Sequence, residues 1–377
     1  MEFNTLVIHG GIDGDKNTGS VTVPIYQTST YRQDAVGKHK GYEYSRTGNP
    51  TREALEKLIS DLEGGYAGFA FGSGMAATSS VLMLFKNGDH IILGDDVYRG
   101  TYRVIDKVFS QLGIQYTSVD TTNPINIEKA IQSNTKAIFM ETPSNPLMKL
   151  SDIAAISDIA KAHKLLLIVD NTFMSPYLQR PIELGADIVL HSATKYLSGH
   201  SDVVAGLAVV NSKELANSLH FIQNAVGAIL GPQDSWVLMK GMRTLPLRMD
   251  RHCENALKIS KWLSKQTWVN KVYYPGLSSE VENYKSQMKN FGGMLSFEVS
   301  DENTLAKLMF NLKIITLAES LGGIESLISV PAKMTHASIP VEKRNAIGIT
   351  DTLVRLSVSV KYSTYIQSSI YENINHK

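Results

Sequence analysis

The chain predicts an α/β fold: a mostly parallel, doubly wound sheet with helices on both faces, followed by a smaller C-terminal α+β domain. Three observations carry this. From residue 65 to about residue 235, short apolar runs alternate with helical stretches, the pattern of a βαβ architecture. Those runs are continuous rather than alternating, as expected of parallel strands covered on both faces. Beyond about residue 235 the character shifts to a long helical region, a turn and an isolated strand-like run. At 377 residues the length suits about two domains.

The elements follow in order. Residues 1–48 are rich in Gly, Thr and Tyr with little periodicity and read as an extended arm. From Pro50 the pattern turns helical, because Leu55, Leu58, Ile59 and Leu62 fall on one apolar face. Gly64-Gly65 stops that helix. Residues 68–71, 90–93, 137–140, 165–169, 188–190 and 207–210 read as strands. Residues 151–163, with Ile153, Ile156 and Ile159, read as a crossover helix capped by Ser151. The long helical region ends near Trp262, Tyr274-Pro275-Gly276 makes a turn, and residues 292–299 read as a strand. The division expected is an arm over 1–48, a large domain over 49–245 and a small domain over 246–377.

Composition narrows the function. Thirty-seven basic against 36 acidic residues give a net charge of +1, which offers no footprint for nucleic acid or an anionic membrane. No apolar run approaches the ~20 residues that span a bilayer, and the N-terminus lacks the basic and apolar regions of a signal peptide. Cys253 is the only cysteine; it excludes an internal disulfide, points to a cytoplasmic setting and reads as helix packing. No His/Cys/Asp/Glu set has ligand spacing, so no metal is expected.

The residues that carry chemistry centre on His191-Ser192-Ala193-Thr194-Lys195-Tyr196. Lys195 follows the run 187–190 and lies just past a strand end, where open α/β sheets place ligands. A lysine sheltered there can lose its proton near neutral pH and attack a carbonyl. Ser192 and Thr194 can hold an anion beside it, and a lysine with a phosphate grip suggests pyridoxal phosphate. Asp170 ends the run 165–169. Alone it reads as a cap for the next turn; paired with Lys195 it reads as the carboxylate that keeps a pyridine nitrogen protonated.

Phe71-Gly72-Ser73-Gly74-Met75-Ala76-Ala77 is a strand end, a glycine turn and a helix start, a natural phosphate cradle. The same residues also match a dinucleotide fingerprint, with Asp95 and Asp96 about 20 residues on, which keeps an NAD-dependent oxidoreductase open as an alternative. They are not a nucleophile elbow, because Phe71 stands where its first glycine belongs. Tyr98 can stack on a flat ring. Arg46, near Tyr44 in the polar arm, can bind phosphate. Arg355 is a charge inside an apolar run and needs a partner, either a substrate carboxylate or a structural ion pair.

Together these segments resemble the cysteine/methionine-metabolism family of pyridoxal-phosphate enzymes. The resemblance runs from Ile8-His9-Gly10-Gly11 through Tyr44-Ser45-Arg46-Thr47-Gly48-Asn49-Pro50-Thr51 and Glu141-Thr142-Pro143-Ser144-Asn145-Pro146. Val169-Asp170-Asn171-Thr172-Phe173, the Lys195 segment and Glu319-Ser320-Leu321-Gly322-Gly323 complete it. It implies fold type I, the aspartate aminotransferase-like fold, with Lys195 as the Schiff-base residue, Asp170 on the pyridine nitrogen and Tyr98 stacked on the ring. Gly74, Met75, Ser192 and Thr194 would bind the phosphate, joined by Tyr44 and Arg46 from a neighbouring subunit. Asn145, Ser320 and Arg355 would hold the substrate carboxylate, and Arg103 is counted with the substrate-binding residues. The implied assembly is a homo-oligomer, at least a dimer and usually a tetramer.

Within the family the stretch 317–327 resembles the cystathionine γ-lyase and γ-synthase branch. Enteric β-lyases carry an aromatic residue where Glu319 stands, and an acidic group there can receive the distal ammonium of cystathionine. The expected activity is therefore γ-elimination of cystathionine to cysteine, 2-oxobutanoate and ammonia, with hydrogen sulfide release from related thiol amino acids. The γ-synthase reaction on an O-acylhomoserine is the nearest alternative, and a β-lyase is the next. Arg99 and Ser198 depart from the family's usual glycines, and Ser359-Val360-Lys361 and the tail from Tyr362 depart from its usual C-terminus.

Overall fold

The computed structural model describes all residues except 12–14, 16, 17, 280, 311, 336–340, 376 and 377. Seven strands, β1 (Ala67–Phe71), β2 (His90–Gly94), β3 (Gln115–Val119), β4 (Thr135–Glu141), β5 (Leu166–Asp170), β6 (Ile188–Ser192) and β7 (Gly206–Val210), form one sheet. Its order is β1-β7-β6-β5-β4-β2-β3. The six predicted runs fall in β1, β2, β4, β5, β6 and β7. The edge strand β3 has no such run because none of its residues is fully buried, so it never needed a continuous apolar sequence.

Strands β2 to β6 pair in parallel, and β1 points the same way, so six of the seven strands share one direction. β7 is antiparallel to both β6 and β1, which agrees with the mostly parallel sheet expected and makes β7 its one reversed strand. Parallel pairing needs a crossover, usually a helix, and residues 193–205 contain none. That segment is given over to tight turns around Lys195, so the chain can only reverse. Ser198 N–H bonds Ala193 O at 3.0 Å and Gly199 N–H bonds Lys195 O at 2.8 Å. Buried Arg248 clamps the same segment, donating to Tyr196 O at 2.6 Å, to Leu197 O at 3.3 Å and to Gly241 O at 2.8 Å.

The helix Pro50–Glu63 forms as its sequence predicts. Asn49 caps it, Pro50 opens it, and Gly64 closes it in the left-handed conformation at φ 72°. Leu55, Leu58, Ile59 and Leu62 are all buried. The helix Ile153–His163 is capped by Asp152, whose carboxylate accepts from Ala155 N–H at 3.0 Å. The expected cap, Ser151, shares its hydroxyl with Thr121 at 2.8 Å instead. The arm is not extended throughout: Phe3–His9 is a helix with Val7 buried, and the Phe3 ring packs on Tyr177 with centroids 5.3 Å apart.

A second sheet of β8 (Val269–Tyr273), β9 (Met294–Val299), β10 (Ile315–Leu317), β11 (Ser326–Ser329) and β12 (Leu353–Ser357) has the order β10-β11-β12-β9-β8. The sequence marks β9 and, in the apolar run around Arg355, β12; the others are short or carry polar residues at every second or third position. Helices Leu245–Leu263 and Ser363–Asn375 supply Ile259, Leu263, Ile366 and Ile370 to the apolar core behind this sheet. Cys253 is 1% exposed on the first of these, and burial pushes its thiol up to about 12, which fits packing rather than nucleophilic chemistry. Among the described residues no helix is long and apolar enough to cross a membrane.

Candidate active site

Three neighbouring parallel strands end in polar residues at one edge of the large sheet: Glu141 on β4, Asp170 on β5 and Ser192 on β6. Outside these carboxyl ends lies a cavity of about 310 Å³, where open α/β sheets bind ligands. The second sheet closes it with Arg355 from β12, and the segment before β11 adds Glu319, Ser320 and Leu321. Tyr98, Asn145, Thr194 and Lys195 complete the wall.

Lys195 points its Nζ at Ser320 Oγ, 2.7 Å away. Burial, and then the guanidinium of Arg355, lower its ammonium from the ordinary lysine value to about 8, against the opposing pull of Glu319. Ser320 reaches it only by adopting φ 87°, unusual for a residue other than glycine. The backbone carbonyl of Ser320 accepts from Arg355 Nη2 at 3.2 Å, and Arg355 Nη1 donates to Asn145 Oδ1 at 3.0 Å. Arg355 is 3% exposed and burial lowers its pKa to about 10. Both of these hydrogen-bond partners are neutral and Glu319 acts on it only through its field, so a substrate carboxylate would find a cation not yet bonded to an anion.

An anion site lies at the helix Gly74–Leu82. Ser73 Oγ caps Ala76 N–H at 3.0 Å, and Gly74 and Met75, in the first turn where backbone N–H groups lack intrahelical partners, line the cavity. A Cβ on Gly74 would come within 2.9 Å of Ser192 Cβ, so glycine is what lets this turn approach Ser192. Thr194 Oγ1 holds the same wall, donating to Ala205 O at 3.3 Å and accepting from Ala205 N–H at 3.0 Å.

Asp170 lies across the cavity floor. Its Oδ1 accepts from Thr172 N–H at 3.0 Å and from Thr172 Oγ1 at 2.5 Å. Burial raises its pKa, while these bonds and His191 hold it back. Glu141, at the same register on β4, is a wall residue that the sequence reading did not assign. It ends its apolar run as Asp170 does, so the signal was present. Thr172 and His191 were also unassigned; His191 Nε2 donates to buried Glu63 Oε1 at 2.6 Å, a contact across 128 residues that no local pattern reveals.

Not every expected residue gathers here. Glu319 does line the cavity, though it is exposed there. Arg103 is exposed on the helix Arg99–Val104 and lies outside the cavity wall. Tyr44, 47% exposed, and Arg46 line a separate groove with Gln27, Thr28 and Ile229; Arg46 lies 5.6 Å from the Tyr44 ring centroid. Neither touches this chain's cavity.

A poised amine, a helix-start cradle closed to any Cβ, and a buried carboxylate fit pyridoxal phosphate. A dinucleotide does not fit. Its fingerprint needs a first strand paired in parallel with the next strand of its βαβ unit, whereas β1 lies at the sheet edge beside antiparallel β7, with four strands between it and β2.

Comparison with known proteins agrees. Residues 4–368 match the family described as Cys/Met metabolism PLP-dependent enzyme. A cystathionine beta-lyase of Lactococcus lactis subsp. cremoris is 60% identical over 377 residues, covering 100% of this chain and 99% of that protein. A cystathionine gamma-lyase of Bacillus subtilis is 59% identical over 363 residues, 96% of each. The crystal structure of cystathionine gamma-lyase from Lactobacillus plantarum complexed with L-serine superposes with a TM-score of 0.96 at 52% identity, covering 99% of this chain and 98% of that one. The chain therefore belongs to the Cys/Met metabolism family of PLP-dependent enzymes.

Proposed function

We propose that the protein is a cystathionine γ-lyase, cleaving L-cystathionine to cysteine, 2-oxobutanoate and ammonia. The observation that carries this reading is Lys195, held 2.7 Å from Ser320, in one cavity with Arg355, Asp170 and Glu319. Bound pyridoxal phosphate supplies an electron sink for carbanions formed next to the substrate's nitrogen. Gly74, Met75, Ser192 and Thr194 would hold its phosphate, Asp170 would keep its ring nitrogen protonated, and Tyr98 would cover the ring. Arg355 and Asn145 orient the substrate carboxylate. Glu319, at the rim, receives the distal ammonium of cystathionine. The Lys195 amine would take the proton from Cα and then move protons at Cβ, so that the γ-thioether would depart as cysteine. That amine, poised near neutrality, suits both taking and returning a proton.

β-Elimination is the second reading, favoured by the 60% identical relative named a beta-lyase. Both reactions begin with the same proton removal, and they part at the bond that breaks next. Incubating the holoenzyme with L-cystathionine distinguishes them. We expect 2-oxobutanoate and cysteine; pyruvate and homocysteine would make it a β-lyase. Turnover confined to an O-acylhomoserine plus cysteine would make it a γ-synthase.

A further inference from the structure

We propose that Glu141 is a positioning residue that works as an uncharged carboxyl group, anchoring Tyr98 over the cofactor ring and leaving Asp170 the single charged carboxylate at the ring nitrogen. This rests on the assignment of Tyr98 to the ring face and Asp170 to the nitrogen.

Glu141 closes β4, is 6% exposed and lines the cavity. It pairs in register with Asp170 on the adjacent parallel strand, so the two carboxyl groups leave neighbouring strand ends about 4.8 Å apart. Two carboxylates sharing a buried site cannot both ionise cheaply. The surroundings decide which one does. Asp170 receives two donors from Thr172, N–H and hydroxyl, and the field of His191. Glu141 receives one, the Tyr98 N–H, at 2.6 Å to Oε2. Burial first and Asp170 second push Glu141 well above the carboxylate range, and Asp96 pushes the same way. Arg355 pulls in the opposite sense, but its guanidinium is bonded to Asn145 and to the Ser320 carbonyl.

The Tyr98 bond is what gives this carboxyl its task. The Tyr98 carbonyl caps the helix Arg99–Val104 through Thr101 N–H at 2.9 Å, and no side chain caps that helix. Tyr98 is 44% exposed, yet its N–H is held from inside, with Glu141 as the acceptor.

The test compares Glu141→Gln, Glu141→Ala and Tyr98→Ala holoenzymes for pyridoxal-phosphate affinity, the wavelength of the visible band, and kcat against KM. An amide offers Tyr98 the same carbonyl oxygen and never carries charge. Glu141→Ala should weaken cofactor binding about tenfold, the cost of one orphaned buried donor, and move the band; Glu141→Gln should recover most of the affinity and restore the wavelength. Should Glu141→Ala fail to fold, Glu141→Gln decides alone, since a displaced band or a tenfold affinity loss there means that charge is required and overturns the proposal. Glu141→Ala matching wild type while Tyr98→Ala loses the cofactor would also overturn it. Tyr98→Ala without effect on cofactor binding would instead overturn the site assignment beneath it.

Discussion

Lys195 and Asp170 are both polar groups that follow a buried apolar strand, and that placement made them legible in the sequence. What the sequence could not supply was the surroundings that set their charge. Burial and Arg355 hold the Lys195 ammonium at about 8, against about 10.4 for an ordinary lysine. The neutral amine is the nucleophile toward an aldehyde, and it accumulates as pH rises through the folded-state value. The initial rate of pyridoxal-phosphate uptake by cofactor-free enzyme should therefore rise with pH with a midpoint near 8. Stopped-flow absorbance measures it; a midpoint at the ordinary lysine value would show that the amine is not desolvated. The Ser320 partner lies 125 residues away, and its left-handed backbone has no local signature, so this contact was out of reach of pattern reading. Glu141 was within reach, because it ends a run just as Asp170 does.

Among the elements, the cradle depends on two close approaches between β7, β6 and the helix Gly74–Leu82. A Cβ on Gly206 would overlap the Ser73 carbonyl, which is backbone, whereas one on Gly74 meets the Ser192 side chain and Cα at 2.9–3.0 Å. Backbone has less freedom to give way. Gly206→Ala should thus cost about 1–3 kcal/mol for forced overpacking, more than Gly74→Ala. Gly74→Ala should mainly weaken cofactor binding. Thermal melting of the cofactor-free variants, beside cofactor titrations, checks the ordering; equal melting temperatures would contradict it. Strands with continuous apolar runs and the helix Pro50–Glu63 were legible because burial on every side demands such sequences. The reversed β7, the edge strand β3 and most of the second sheet were not. Their direction and pairing follow from turns and long-range partners that leave little periodic trace.

At the scale of the whole molecule, the arm carries Tyr44 and Arg46 away from this chain's own cavity, exposed on a groove of their own. That is the placement expected if they complete the phosphate site of a neighbouring copy. Lys195→Ala and Arg46→Ala variants should each be impaired alone. Unfolded together and refolded, they should regain activity toward about a quarter of wild-type sites, since half of randomly paired dimers would carry one intact site. No gain over the separate variants would place Arg46 outside any shared site. All of this depends on one covalent attachment within the assembled holoenzyme. Borohydride reduction followed by peptide mapping tests it most directly. The account predicts loss of the visible band and a single cofactor-bearing peptide, with the adduct on Lys195; an adduct on any other lysine, or a Lys195→Ala protein that keeps the reducible band, would contradict it.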